Sequence, residues 1–177
     1  MIKKFRETVG TWVFSMETTP ALPIGKIVDM VIDPFTGKCV ALWIKSIDGL
    51  RLIDFRDIKR WTESIYIPSI RDVLKPEDFP RISDVLDREV PIIGADVFVQ
   101  EGKISRKIGK VEDFSFQANF LLLLSLKVNT GWWIFGKKIE IPRNRILEIS
   151  SKGIRVIDNL IKIDKKITSS SAVPSLD

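Results

Sequence analysis

The chain has 177 residues, 45% hydrophobic and 29% charged, with a net charge of +5; this balance fits one globular domain or two small ones and excludes disorder throughout. With no histidine and a single cysteine, Cys39, it forms no internal disulfide and lacks the commonest zinc ligand and acid–base catalyst. The longest apolar run, Phe120 to Leu126, is broken by Ser125 and falls far short of the roughly 20 residues of a membrane-spanning helix. No signal peptide is read in MIKKFRETVGTWVF, so a cytoplasmic location is expected.

Along the chain, Val13-Phe14 recurs as Val97-Phe98, Ile24-Gly25-Lys26 as Ile108-Gly109-Lys110, and Asp29 as Asp113, all at an offset of 84. A period this long predicts a duplicated domain instead of a solenoid. In the first copy, apolar runs at Ile27 to Ile32 and Val40 to Ile44 flank Asp33-Pro34-Phe35-Thr36-Gly37, a β-hairpin signature with Pro early and Gly at the end of the turn. Matching Lys45 to Lys127 gives an offset of 82 and predicts a second hairpin two residues shorter, with 117–120 standing for 33–38.

Further on, Asp48-Gly49 and Thr130-Gly131 mark a second turn. Ile53-Asp54-Phe55 then matches Ile139-Glu140-Ile141 at an offset of 86, so copy two gains four residues, assigned to Trp132-Trp133-Ile134-Phe135. Each copy closes with a short helical corner, at 56–60 and 142–146, and a final strand, at 64–67 and 154–157.

The expected fold is therefore all-β: two tandem small antiparallel β-barrels, since short strands leave no edges exposed when the sheet closes. The first spans 1–78 and the second 90–162. Between them 79–89 forms a short helical linker with Ser83 as its cap, and 163–177 is a disordered tail. The charge divides unevenly: residues 1–87 carry 13 Lys+Arg against 13 Asp+Glu, and residues 88–177 carry 15 against 10.

Gly25 and Gly109 are read as strand-opening corner glycines, Asp33, Pro34 and Gly37 as turn residues, and Pro142 as a corner residue. Asp29 and Asp113 are the recurring carboxylates, and their equivalence assigns them to the fold instead of to acid–base or metal chemistry. No catalytic residue, metal site or cofactor is expected, and Cys39 reads as a buried inert thiol. Phe120 to Leu124 lacks alternation, so its outer face needs a cover, either the other copy or another molecule. Trp132, Trp133 and Phe135, ringed by Lys137, Lys138, Arg143 and Arg145, form the candidate partner-binding surface, suited to acidic protein or phosphate groups.

IGKIVDMVIDPFTGKCVALWI followed by IDFRDIKRW, and IGKVEDF followed by IEIPRNRILEI, resemble the PRC-barrel family: a glycine-opened strand, a DP-x-TG hairpin and an I-P-x-x-x-I corner. The resemblance covers about residues 10–67 and 94–158. It implies a non-catalytic adaptor, because the family includes the cytoplasmic domain of the photosynthetic reaction-centre H subunit and the C-terminal domain of ribosome maturation factors, which dock onto protein or ribonucleoprotein partners. The expected function is a scaffold binding a protein or ribonucleoprotein through the second copy, with a homodimer left open. The alternative is an RNA- or ribosome-associated module using the basic second half.

Overall fold

The computed structural model describes residues 1–80, 82–88, 90–102, 104–119, 121–131 and 137–157. In chain order the elements are β1 (Ile2–Lys4), α1 (Phe5–Thr8), β2 (Trp12–Ser15), β3 (Leu22–Ile32), β4 (Cys39–Ser46), β5 (Gly49–Asp54), β6 (Arg60–Trp61), β7 (Ile65–Ile67) and β8 (Val73–Leu74). There follow α2 (Ser83–Leu86), β9 (Asp96–Glu101), β10 (Ile104–Gln117), β11 (Leu122–Asn129), β12 (Lys138–Pro142), β13 (Ile146–Ser150) and β14 (Gly153–Ile157). None of the described helices is long and apolar enough to cross a membrane.

The protein is mostly β, and the duplication is visible in its topology. One sheet runs β6-β7-β2-β3-β4-β5-β8 and the other β13-β14-β9-β10-β11-β12, the same order apart from β8. The strands are not all antiparallel, which corrects the expectation. The final strand of each copy lies parallel to the first, β7 beside β2 and β14 beside β9. A 3₁₀ corner, Phe55–Asp57 or Arg143–Arg145, begins the crossover that a parallel pair requires.

Strand register corrects the hairpin reading. Asp29 pairs with Trp43 and Met30 with Leu42, while Asp113 pairs with Lys127 and Phe114 with Leu126, so the offset of 84 runs unbroken through both hairpins. Their turns close alike: Gly37 N–H donates to the Asp33 carbonyl at 2.8 Å, and Leu121 N–H to the Gln117 carbonyl at 2.7 Å. Gly37 has φ +72° and Leu121 φ +55°. A leucine there carries about 1–2 kcal/mol of strain, which packing of Leu121 on the core offsets. Past the second turn Leu42 pairs with Ile53 and Leu126 with Ile141. That is an offset of 88, so copy two does gain four residues, between Gly131 and Lys137; Trp132, Trp133, Ile134 and Phe135 lie outside the described residues.

Both copies also carry the same bulges. Register slips between Ile27 and Asp29 and between Val111 and Asp113, then again between Val31 and Ile32 and between Ser115 and Phe116. Each bulge reverses which side chains face inward. Leu121 to Leu124 thus crosses a turn and a bulge instead of forming a strand apolar on both faces, and alternation fails for that reason.

The two copies meet at these hairpins. Cys39 N–H donates to the Leu121 carbonyl at 2.7 Å, Leu123 N–H donates to the Gly37 carbonyl at 2.9 Å, and Lys38 stands opposite Leu122. Exchanging the copies maps one bond onto the other, so a local two-fold relates them. The cover expected for the leucine run is, at Leu121 to Leu123, the other copy.

Terminal and linking segments cross over as well. β1 pairs with β10, Lys3 opposite Phe116, so residues assigned by sequence to the first domain extend the second sheet. Around α2, Phe79, Ile82, Val85 and Leu86 cover Val31, Ala41 and Leu52 on the first sheet. Ser83 is the first helical residue and not its cap, which falls on Ile82 without a side-chain bond. One contiguous core joins the halves. A file of rings runs through it: Phe5 stacks on Phe114 at 4.8 Å, Phe114 meets Phe116 at 6.3 Å, Phe116 meets Trp61 at 5.7 Å, and Trp61 stacks on Phe55 at 5.8 Å.

Candidate functional site

The local two-fold is broken at the seam. On one side Phe55 and Trp61 fill the space beside Phe116, with Lys3 Nζ 5.2 Å above the Trp61 ring. On the other, register places Arg143 and Ile149 at the positions of Phe55 and Trp61. There an open groove of about 480 Å³ remains, lined among others by Pro34, Phe35, Arg88, Val90, Arg143 and Leu147.

Local sequence explains how these side chains are held. Asp33 accepts from Phe35 N–H at 3.1 Å and from the Thr36 hydroxyl at 2.6 Å, an Asx-type turn that points Phe35 outward, 72% exposed. Arg88 sits 5.2 Å over that ring. Arg143 donates to the Ile146 carbonyl at 3.2 Å and to the Phe35 carbonyl at 3.4 Å, tying the copies together. It passes so close to Gly37 that a Cβ there would lie 2.6 Å from its Nε. Gly37 therefore serves the turn and the arginine at once.

Of the expected partner-binding residues that are described, only Arg143 reaches this groove, where Pro34 joins it. Lys138 donates to Glu112 at 2.9 Å on another part of the second sheet. Lys137 is exposed at the edge of the second turn, and Arg145 is half-buried on the 3₁₀ corner. Pro142 caps that corner. Trp132, Trp133 and Phe135 lie outside the described residues. Phe35, Arg88 and Leu147 went unread in the sequence; the only signal was a large ring inside a turn motif, where a polar residue would serve.

Burial raises the Asp29 carboxyl above its ordinary value, against the hydrogen bond from Met30 N–H. Hydrogen bonds from Lys107 and Lys110 hold the Asp96 carboxyl below its ordinary value, and one from Lys138 does the same for Glu112. The Cys39 thiol is pushed up to about 12 by burial, which leaves it protonated and inert.

The recurring aspartates serve the bulges. Asp29 accepts from Met30 N–H at 2.7 Å and Asp113 from Phe114 N–H at 2.9 Å. Asp113 also accepts from Arg6 N–H at 3.1 Å, pinning the start of α1 to the second sheet. Asp113→Ala strands two donors and is expected to lower stability by about 1–3 kcal/mol, more than Asp29→Ala, as measured by urea unfolding of both variants.

Compared with known proteins, the chain matches no protein-family model, and no curated protein matches it.

Proposed function

We propose that the chain is a tandem PRC-barrel-like protein, each sheet curling into a small barrel, and that it acts in the cytoplasm as an adaptor without chemistry. It holds a protein or ribonucleoprotein partner in the groove at the seam. The repeated strand order, the equivalent glycines Gly25 and Gly109 within β3 and β10 and the paired 3₁₀ corners support the family reading.

The observation that carries the function is the broken symmetry: a fold position filled by two aromatic rings on one side is left open on the other, beneath an exposed Phe35 with Arg88 and Arg143 beside it. Rings and arginines of this kind anchor protein interfaces. A partner segment with an apolar anchor and a carboxylate would fit. The rival, RNA held by the basic second half, is less well supported, because four of its described cations are engaged: Lys107 and Lys110 with Asp96, Lys138 with Glu112, and Arg155 with Glu148.

Capture of partners from native lysate tests this, at low and high salt and with and without nuclease. The expected partner survives both treatments and is retained about tenfold less by a Phe35→Ala, Leu147→Ala double variant, two exposed positions whose loss spares the core. Equal capture by that variant, or loss of every partner to nuclease, overturns the reading.

A further inference from the structure

The outer face of the first sheet carries a second, separate surface. Strand register sets Leu50, Lys45, Lys26 and Trp12 in one row across β5, β4, β3 and β2. Beside it Phe14, Tyr66 and Arg60 form another row across β2, β7 and β6. Side chains complete the pattern: Lys26 Nζ lies 4.5 Å over the Trp12 ring, Trp12 meets Phe14 at 6.3 Å, Phe14 stacks on Tyr66 at 5.6 Å, and the Arg60 guanidinium lies 4.0 Å over Tyr66. Trp12 is 45% exposed and Leu50 50%. Among the described residues no carboxylate pairs with Lys26, Lys45 or Arg60.

The second copy is an internal control for what the fold itself requires. Register puts Asp96 at the position of Trp12, Arg155 at that of Tyr66, Glu148 at that of Arg60, and Lys110 at that of Lys26. There the charges neutralise one another, Lys110 with Asp96 and Arg155 with Glu148. The same sheet therefore folds with an ion-paired surface, and the exposed Trp12, the half-buried Phe14 and Tyr66 and the unpaired cations of the first copy are not a demand of the architecture.

We propose that this face binds single-stranded nucleic acid, its cations meeting phosphates and Trp12 with its neighbours contacting bases. A sheet face combining aromatic side chains with a positive field is the common chemistry of such sites. Lysines at the centre of the patch argue against a protein partner, since lysine is depleted in protein interfaces. The surface shares no residue with the seam groove, so either can fail without the other.

Fluorescence anisotropy of a labelled oligouridylate of about 12 nucleotides, titrated with the full chain at several salt concentrations, tests it. Three phosphate contacts give a slope of log affinity against log salt near −2, at about −0.7 per contact. Trp12→Ala weakens binding by about tenfold, Trp12→Phe keeps most of it, and Lys26→Gln with Lys45→Gln and Arg60→Gln flattens the slope, all with an unchanged melting temperature. Lys107→Gln with Lys110→Gln, in the second copy, leaves binding as it was. The proposal is overturned if the oligonucleotide does not bind at about 50 mM salt, if Trp12→Ala binds like the parent, if the second-copy variant loses binding instead, or if polyglutamate competes as well as RNA.

Discussion

Phe116→Ala is expected to lower stability by about 4 kcal/mol and to do so for the whole molecule at once. Phe116 is fully buried and belongs to β10 of the second copy, yet it touches Trp61 of the first. Truncating a buried phenylalanine costs about 3–5 kcal/mol through lost burial and the cavity left behind. For a chain of this size that corresponds to a melting temperature lower by roughly 12 °C. Because the main core cluster spans both copies, thermal unfolding followed by far-UV circular dichroism and by tryptophan fluorescence should give one coincident transition. A first copy that melts at its original temperature while the second unfolds early would show that the seam does not couple them.

The second large effect is expected at Gly25 and Gly109, which lie within β3 and β10 instead of opening them as the sequence suggested, each paired inside the ladder with the preceding strand. A Cβ on Gly25 would lie 2.5 Å from the Lys45 carbonyl oxygen and 3.1 Å from the Ser46 Cα. On Gly109 it would meet the Asn129 carbonyl oxygen more closely still, with the Thr130 Cα at 3.0 Å. These obstacles are backbone, which cannot rotate away as a side chain would. Alanine must push neighbouring strands apart, so Gly25→Ala and Gly109→Ala should each cost about 3 kcal/mol, the upper part of the range for overpacking. Gly94 is the control: its φ is +80° but nothing lies within 4 Å of its Cβ position, so alanine there meets only backbone strain, about 1 kcal/mol. Urea midpoints for the three variants should rank accordingly, and equal midpoints would refute close strand approach as the reason for Gly25 and Gly109.

The different surfaces of the two copies are what give the molecule two candidate binding regions. Identical copies would present the same chemistry twice, related by the local two-fold. Instead Trp61 and Phe55 close one side of the seam while Ile149 and Arg143 leave the other open, and Trp12 and Tyr66 replace an ion-paired Asp96 and Arg155 on the sheet. Divergence between the copies is visible at particular positions: Trp12 on the outer sheet face lies outside the shared core, whereas Phe55 and Ile149 belong to that core and Trp61 packs against it.

Much of this was legible from residue order alone. The recurrence of Ile-Gly-Lys and of Asp29 as Asp113 reports a duplication because equivalent strands need the same glycine and the same bulge-capping carboxylate. The β character of each copy follows from its β-branched runs and from the Asp33 to Gly37 turn. The hairpin length was misread because the second turn has no such motif: Leu121 adopts the left-handed backbone that Gly37 adopts, and matching the two lysines instead slipped the alignment by two residues. Local pattern could not reveal that, since the conformation of Leu121 is maintained by packing against the core. Nor could it reveal that β1 joins the second sheet, that the hairpins pair across the two-fold, or that Arg143 faces Phe35. Those contacts join residues 80 or more positions apart, and they are decided by burial of a shared core, to which sequence neighbours contribute no signal.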